Sequence, residues 1–174
     1  MVYQRPQVPQ LVRLCLMPKM QKNGTVKVNC LIIGDGQMRS QLEKRVLEYH
    51  MEDSVWFYGA CYNAEDLAHL VSCCDICVSP GNVGLTAIEC LSYGTPVCSH
   101  NDFSNQMPEF EAIIPGKTGD FFKRNDISDM AKVVENWLIR YPKKSKECIN
   151  ACYDIIDKKY NPYYQINVLK NALI

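Results

Sequence analysis

Short apolar runs of strand length alternate with longer stretches whose apolar residues recur at helical spacing, and this alternation constrains the fold more than any other feature. Val26-Lys27-Val28-Asn29-Cys30-Leu31-Ile32-Ile33 reads as a strand stopped by Gly34-Asp35-Gly36. From Gln37 to Tyr49, Met38, Leu42, Val46 and Tyr49 form one helical stripe. Val55-Trp56-Phe57-Tyr58 is a strand closed by Gly59, and a helix from about Glu65 presents Leu67, Leu70, Val71 and Cys74 on one face. Asp75-Ile76-Cys77-Val78-Ser79 is a strand stopped by Pro80-Gly81. Gly84 opens a helix to Tyr93, Gly94 caps it, and Pro96-Val97-Cys98-Ser99 is the next strand. Gly119-Asp120-Phe121-Phe122 adds a short strand, after which Ile127, Met130, Val133, Val134, Trp137 and Leu138 share a stripe. Strands apolar on both faces and separated by helices predict an α/β fold: a Rossmann-like parallel sheet flanked by helices, with right-handed crossovers. The predicted organisation is a helical N-terminal segment over 1–25, a Rossmann-like domain over 26–142 and C-terminal helices over 143–174. Within the first of these, a helix is expected from Pro9 to about Asn23, interrupted at Pro18.

Composition narrows the function classes. The chain has 174 residues, enough for one domain with a real core. Nineteen Lys plus Arg balance nineteen Asp plus Glu, and a net charge of zero argues against a nucleic-acid binder, which needs a positive surplus. No apolar run approaches the roughly 18–20 residues of a membrane span, and Met1-Val2-Tyr3-Gln4-Arg5-Pro6 lacks the apolar core of a signal peptide. Of the ten cysteines, Cys30, Cys77 and Cys98 sit inside apolar runs, where a free thiol behaves as a small hydrophobe. Cys148 and Cys152 share one helix face. Cys74 and Cys77 form a C-x-x-C, but with three His and no second such pair no metal site is expected, and the thiols predict a reducing, cytoplasmic compartment.

Two glycine loops are candidates for phosphate binding. Gly34-x-Gly36 would place the third glycine of a dinucleotide fingerprint at Arg39, and the following strand ends Phe57-Tyr58-Gly59 with no acidic residue for a ribose, so the fingerprint fails. The second loop, Ser79-Pro80-Gly81-Asn82-Val83-Gly84-Leu85-Thr86, leaves a strand and enters a helix, whose N-terminal amides and dipole favour an anion. Glu89 lies one helical turn beyond Leu85, within reach of a sugar hydroxyl beside such a phosphate. A plain turn followed by a solvated glutamate is the alternative reading of the same residues. His100-Asn101-Asp102 follows a strand, but no G-x-S-x-G accompanies it, which points to a loop histidine rather than a catalytic one.

The order Leu31-Ile32-Ile33-Gly34-Asp35-Gly36, Val55-Trp56-Phe57-Tyr58-Gly59, Asp75-Ile76-Cys77-Val78-Ser79-Pro80, then Gly84-Leu85 through Glu89 to Gly94-Thr95-Pro96-Val97 resembles the C-terminal half of a family 4 (group 1) glycosyltransferase of the GT-B fold. Met107-Pro108-Glu109 and Gly116-Lys117-Thr118-Gly119 resemble later blocks of the same family. The resemblance implies a donor-binding half of a retaining enzyme that moves a hexosyl unit from a nucleoside diphosphate sugar to a glycan or lipid-linked acceptor, without metal or cofactor. It implies donor contacts at Asn82, Val83, Gly84, Leu85, Thr86 and Glu89, with Glu89 on the ribose and Tyr58, Gly59 and Ala60 bordering the base. The catalytic group is not assigned.

Three departures accompany the likeness. A family glutamate that contacts the donor sugar falls at Gly81, and a Gly-Gly pair is replaced by Asn105-Gln106. The family's first strand and its Arg/Lys clamp have no counterpart ahead of Gly34, although Arg13 and Lys19 lie in that segment. The expectation is therefore a truncated or split half, inactive by itself, with an edge exposed beside Val26–Ile33. Its partners would be the nucleotide-sugar and either an N-terminal GT-B half or a second copy. The alternative is a non-catalytic nucleotide-binding module in a two-chain transferase. Lys143, Lys144, Lys146, Lys158 and Lys159 suit peripheral contact with the inner membrane surface, and Tyr160, Tyr163 and Tyr164 around Pro162 mark a helix break.

Overall fold

The computed structural model describes residues 13–20 and 26–173. Six strands form a single sheet: β1 (Arg13–Met20), β2 (Val26–Ile33), β3 (Val55–Gly59), β4 (Ile76–Ser79), β5 (Val97–His100) and β6 (Gly119–Phe122), in the order β3-β2-β1-β4-β5-β6. The pairs β2–β3, β4–β5 and β5–β6 are parallel. Since β1 is antiparallel to both β2 and β4, those five strands all point one way and end at the same rim. The helices are α1 (Arg39–Glu48), α2 (Ala64–Ser72), α3 (Leu85–Ser92), α4 (Ile127–Arg140), α5 (Lys146–Lys159) and α6 (Pro162–Ala172), with short 3-10 turns at Phe103–Asn105 and Pro108–Ala112. The architecture is the predicted Rossmann-like one.

The N-terminal segment departs from expectation. Where a helix is predicted, Arg13–Met20 is a strand at the centre of the sheet, and it is the one antiparallel member. The rest of that predicted helical segment lies outside the described residues. Pro18 is incompatible with a helix interior and tolerated in a strand only where no ladder bond is needed. Here β4 pairs only with Leu14–Leu16, so Pro18 lies in the half of β1 that has β2 alone as neighbour, opposite Val28. The edge expected beside Val26–Ile33 is thus occupied by β1, and the open edges are β3 and β6.

The carboxyl-terminal half of β2 and most of β4 are buried on both faces. Ile32 and Phe57, paired in register, face a shallow apolar hollow with Met38 and Leu42 of the α1 segment. Leu31 and Ile33 join Leu67 and Val71 of α2 and Ala87, Cys90 and Leu91 of α3 in one continuous core. Fully buried Ile76, Leu91 and Leu138 each contribute about 1.5–3 kcal/mol by removal from water. The segment after α4 is locked to the base of the sheet by Lys144. Its Nζ donates to the Ser72 carbonyl at 2.6 Å and the Thr95 hydroxyl at 2.9 Å, and its amide donates to Asp75 Oδ1 at 3.2 Å. Burial pushes the Lys144 ammonium below its ordinary pKa, and Asp75 opposes the shift. The cysteines from Cys30 to Cys152 are free thiols. Among the described residues no helix is long and apolar enough to cross a membrane.

Candidate functional site

In open α/β sheets the ligand crevice lies beyond the carboxyl ends of the parallel strands. Here that rim carries the loops after Ile33, Gly59, Ser79, His100 and Phe122. The loop after Ser79 rises through Pro80, Gly81 and Asn82, buries Val83 completely and turns at Gly84 into α3. Gly84 has φ +48° and ψ −147°, a conformation that side chains with a Cβ resist.

The N-terminus of α3 is open. Helices α2, α4, α5 and α6 begin on side-chain caps from Asn63, Asp126, Ser145 and Asn161. Helix α3, like α1, has no side-chain cap and no acidic residue in its first turn. The amides of Gly84, Leu85 and Thr86 donate to no group among the described residues, while Ala87 N–H returns to the Gly84 carbonyl at 3.0 Å. Unpaired amides and the helix dipole together favour an anion at such an end. Beside them, Thr86 is 3% exposed, and its buried hydroxyl makes no hydrogen bond. Leaving such a group unpaired costs about 1–3 kcal/mol. Thr86→Val keeps the shape and removes the hydroxyl, so it is expected to raise the unfolding free energy of the unliganded chain by about 1 kcal/mol. Urea denaturation measures this, and equal or lower stability would show that the hydroxyl is satisfied.

Val83 differs from its three neighbours. Its amide donates to Oε1 of Gln106 at 3.0 Å. The Gln106 Nε2 donates to the Ser99 hydroxyl at 2.8 Å and the His100 carbonyl at 3.0 Å, and Ser99 Oγ donates onward to the Ser79 carbonyl at 3.1 Å. The loop ahead of α3 is thereby tied to the end of β5. Next to it, Asp102 accepts from Ser104 at 2.7 Å, Arg124 at 2.6 Å and Asn105 at 2.9 Å. These donors hold its carboxyl at about 2. His100 is buried and its Nδ1 accepts the Asp102 amide at 3.3 Å. Burial, with Arg124 adding, lowers its pKa. The imidazole is bonded to backbone, but His100 is the last residue of β5 rather than a loop residue.

The family described as glycosyl transferases group 1 matches residues 10–154. The chain belongs to that family. No curated protein matches the sequence. Among solved structures, the sucrose-phosphate synthase of Thermosynechococcus elongatus is 25% identical with a TM-score of 0.65, over 82% of this chain and 37% of that one. HepE of Anabaena in complex with UDP is 17% identical with a TM-score of 0.64, over 84% and 41%. TarM of S. aureus, in a complex that includes UDP, is 19% identical with a TM-score of 0.69, over 86% and 29%. The last two likenesses establish the fold, one half of a GT-B architecture. This chain spans between 29% and 41% of the length of these three structures.

In this group 1 glycosyltransferase domain the residues expected to hold a donor sort into three places. Gly84, Leu85 and Thr86 surround the open helix end, with Leu85 74% exposed, and half-buried Glu89 follows one turn on. Asn82 is exposed on the loop, and Val83 is turned away toward Gln106. Tyr58 and Gly59 end β3 and Ala60 follows it, three strand spacings from β4 and so about 14 Å along the rim. There the Gly59 carbonyl accepts the Gly34 amide at 2.7 Å, joining the loops after β2 and β3. The Arg39 guanidinium lies against Gly59, 3.1 Å from where a Cβ would stand, and pairs with Glu43 at 2.8 Å and Asp35 at 3.6 Å. Gly81 is exposed and a Cβ there meets nothing within 4 Å, so the missing carboxylate is not enforced by crowding. Gln106 and Ser99 were not singled out as site residues by sequence. Their only signal is that Gln106 stands where the family has glycine.

Proposed function

We propose that this chain is the donor-binding half of a retaining glycosyltransferase that takes a nucleoside diphosphate sugar and delivers a hexosyl unit to a glycan or lipid-linked acceptor. The open N-terminus of α3 carries the reading, since its three unpaired amides lie at the strand rim where ligands bind in this fold. The diphosphate sits on these amides, Glu89 accepts from the ribose hydroxyls, and the base lies toward Tyr58–Ala60. That two neighbours of the same fold are described in complexes with UDP supports this choice of ligand. No metal or cofactor is invoked: amide dipoles preorganised toward the leaving diphosphate stabilise the charge it gains. The chain's 29–41% share of these three neighbours supports an acceptor site contributed by a further GT-B half. A non-catalytic subunit role is the second reading, favoured by Gly81, which offers no carboxylate to the donor sugar. Lysines of α5 near the exposed Tyr163, Ile166 and Leu169 of α6 support contact with a membrane surface.

Isothermal calorimetry with UDP, GDP and NADH tests the reading. Binding of UDP or GDP is expected, with Glu89→Ala weakening it by about 1.5 kcal/mol through loss of hydrogen bonds to a charged acceptor. Binding of NADH with no response to either diphosphate would sink the proposal.

A further inference from the structure

We propose that Gln106 is a positioning residue for the anion-binding amides of α3, holding them through the Val83 amide on one side and the end of β5 on the other. The inference rests on the donor-site reading and deepens it. The loop from Pro80 to Gly84 carries exposed Gly81 and Asn82, and beyond the β4–β5 ladder two side chains tie it to the end of β5. Gln106 Oε1 accepts from Val83, and Ser99 Oγ donates toward the carbonyls of Ser79 at 3.1 Å and Gly81 at 3.4 Å. Gln106 Nε2 holds Ser99 in turn at 2.8 Å. Both halves of the carboxamide are therefore in use: an acceptor toward the loop and a donor toward Ser99 and the His100 carbonyl.

Only a side chain that accepts at one end and donates at the other satisfies both contacts. Val83 immediately precedes Gly84, so any drift of Val83 moves Gly84, Leu85 and Thr86, whose amides must converge on one phosphate. A glutamate at 106 separates the donor function from size and shape. Ionised, it accepts from Val83 but directs a second lone-pair oxygen at the His100 carbonyl and adds a negative charge beside the anion site. Protonated, it regains an O–H donor and mimics glutamine.

The test is calorimetry of UDP and GDP binding to wild type, Gln106→Met and Gln106→Glu at pH 8 and pH 5.5, each variant expressed as a ratio to wild type at the same pH. His100, Asp102, Glu109 and Arg124 of the surrounding loops are common to all three proteins and cancel in the ratio. Gln106→Met, close in volume, is expected to bind about tenfold more weakly at both pH values. Gln106→Glu is expected about thirtyfold weaker at pH 8 and about tenfold weaker at pH 5.5, where the small protonated fraction of its carboxyl binds as glutamine does. Amide hydrogen exchange should show Val83 less protected in Gln106→Met. If that variant does not fold, the pH response of Gln106→Glu carries the test. Wild type that binds neither diphosphate overturns the donor-site reading and this inference with it. Wild-type binding matched by Gln106→Glu at pH 8, or a Gln106→Glu deficit that is flat with pH, overturns the inference alone.

Discussion

Gly119→Ala is expected to abolish the cooperative native state or to lower Tm by about 15 °C, because the added methyl has nowhere to go. Gly119 opens β6 directly opposite Val97 of β5. A Cβ there would stand 1.7 Å from the Val97 carbonyl oxygen and 2.7 Å from its carbon, with Ile113 Cγ2 at 3.0 Å. The obstructing atoms are backbone, so no rotamer change relieves the overlap, and β6 must separate from β5. That separation also disturbs the bonds that close the neighbouring turn, Val97 N–H to the Thr118 carbonyl and Gly116 N–H to the Gly119 carbonyl, both 2.9 Å. A cost of at least about 4–5 kcal/mol follows from overpacking of this severity, against a total stability of about 5–15 kcal/mol for a domain. Gly36→Ala is the control, since a Cβ there meets nothing within 4 Å and a surface change of that kind stays within about 0.5 kcal/mol. Thermal unfolding followed by circular dichroism distinguishes the two. A Gly119→Ala protein melting near wild type would mean that β6 is not paired with β5 in this register.

Leu85→Asp is expected to stabilise the free chain while removing diphosphate binding. Leu85 is the first residue of α3 and 74% exposed, so its side chain contributes little to the core. A carboxylate in the first turn of a helix gains about 0.3–1 kcal/mol from the helix dipole, and α3 has no acidic residue there to begin with. The same charge sits at the amides proposed to hold a diphosphate. Like charges about 5 Å apart, in surroundings of effective dielectric near 20, repel by about 3 kcal/mol per pair. Even after screening, affinity should fall by at least about a hundredfold. Calorimetry and urea denaturation on one preparation give both signs. Unchanged affinity would place the anion elsewhere on the rim, while a destabilised protein would show that Leu85 is packed rather than exposed.

The parts of this fold that were legible in the sequence are those where one chain segment carries its own signal. Leu31–Ile33 and Ile76–Val78 are apolar throughout because both faces are covered, and Gly84 marks the turn into α3 because its backbone adopts positive φ. Strand β1 was misread because its apolar residues tolerate either period. The Asn23-Gly24 dipeptide between it and β2 is a hairpin signal that helical spacing obscured. The site was legible to the same degree. The open end of α3 follows from a glycine at the cap and the want of an acidic first turn. The engagement of the Val83 amide does not, since its partner lies 23 residues along the chain. Gln106 was visible only as a glycine that is absent, and what fills the place of a glycine depends on a neighbour no local pattern names.

The reversed direction of β1 decides where the chain enters the sheet. A parallel strand in that central slot would begin at the rim opposite the crevice. Because β1 runs the other way, Arg13 pairs with Ile33, the last residue of β2, and Leu14 faces Val78 near the end of β4. Whatever is joined directly ahead of Arg13 therefore leaves the sheet from the rim that carries the proposed donor site, not from the opposite one.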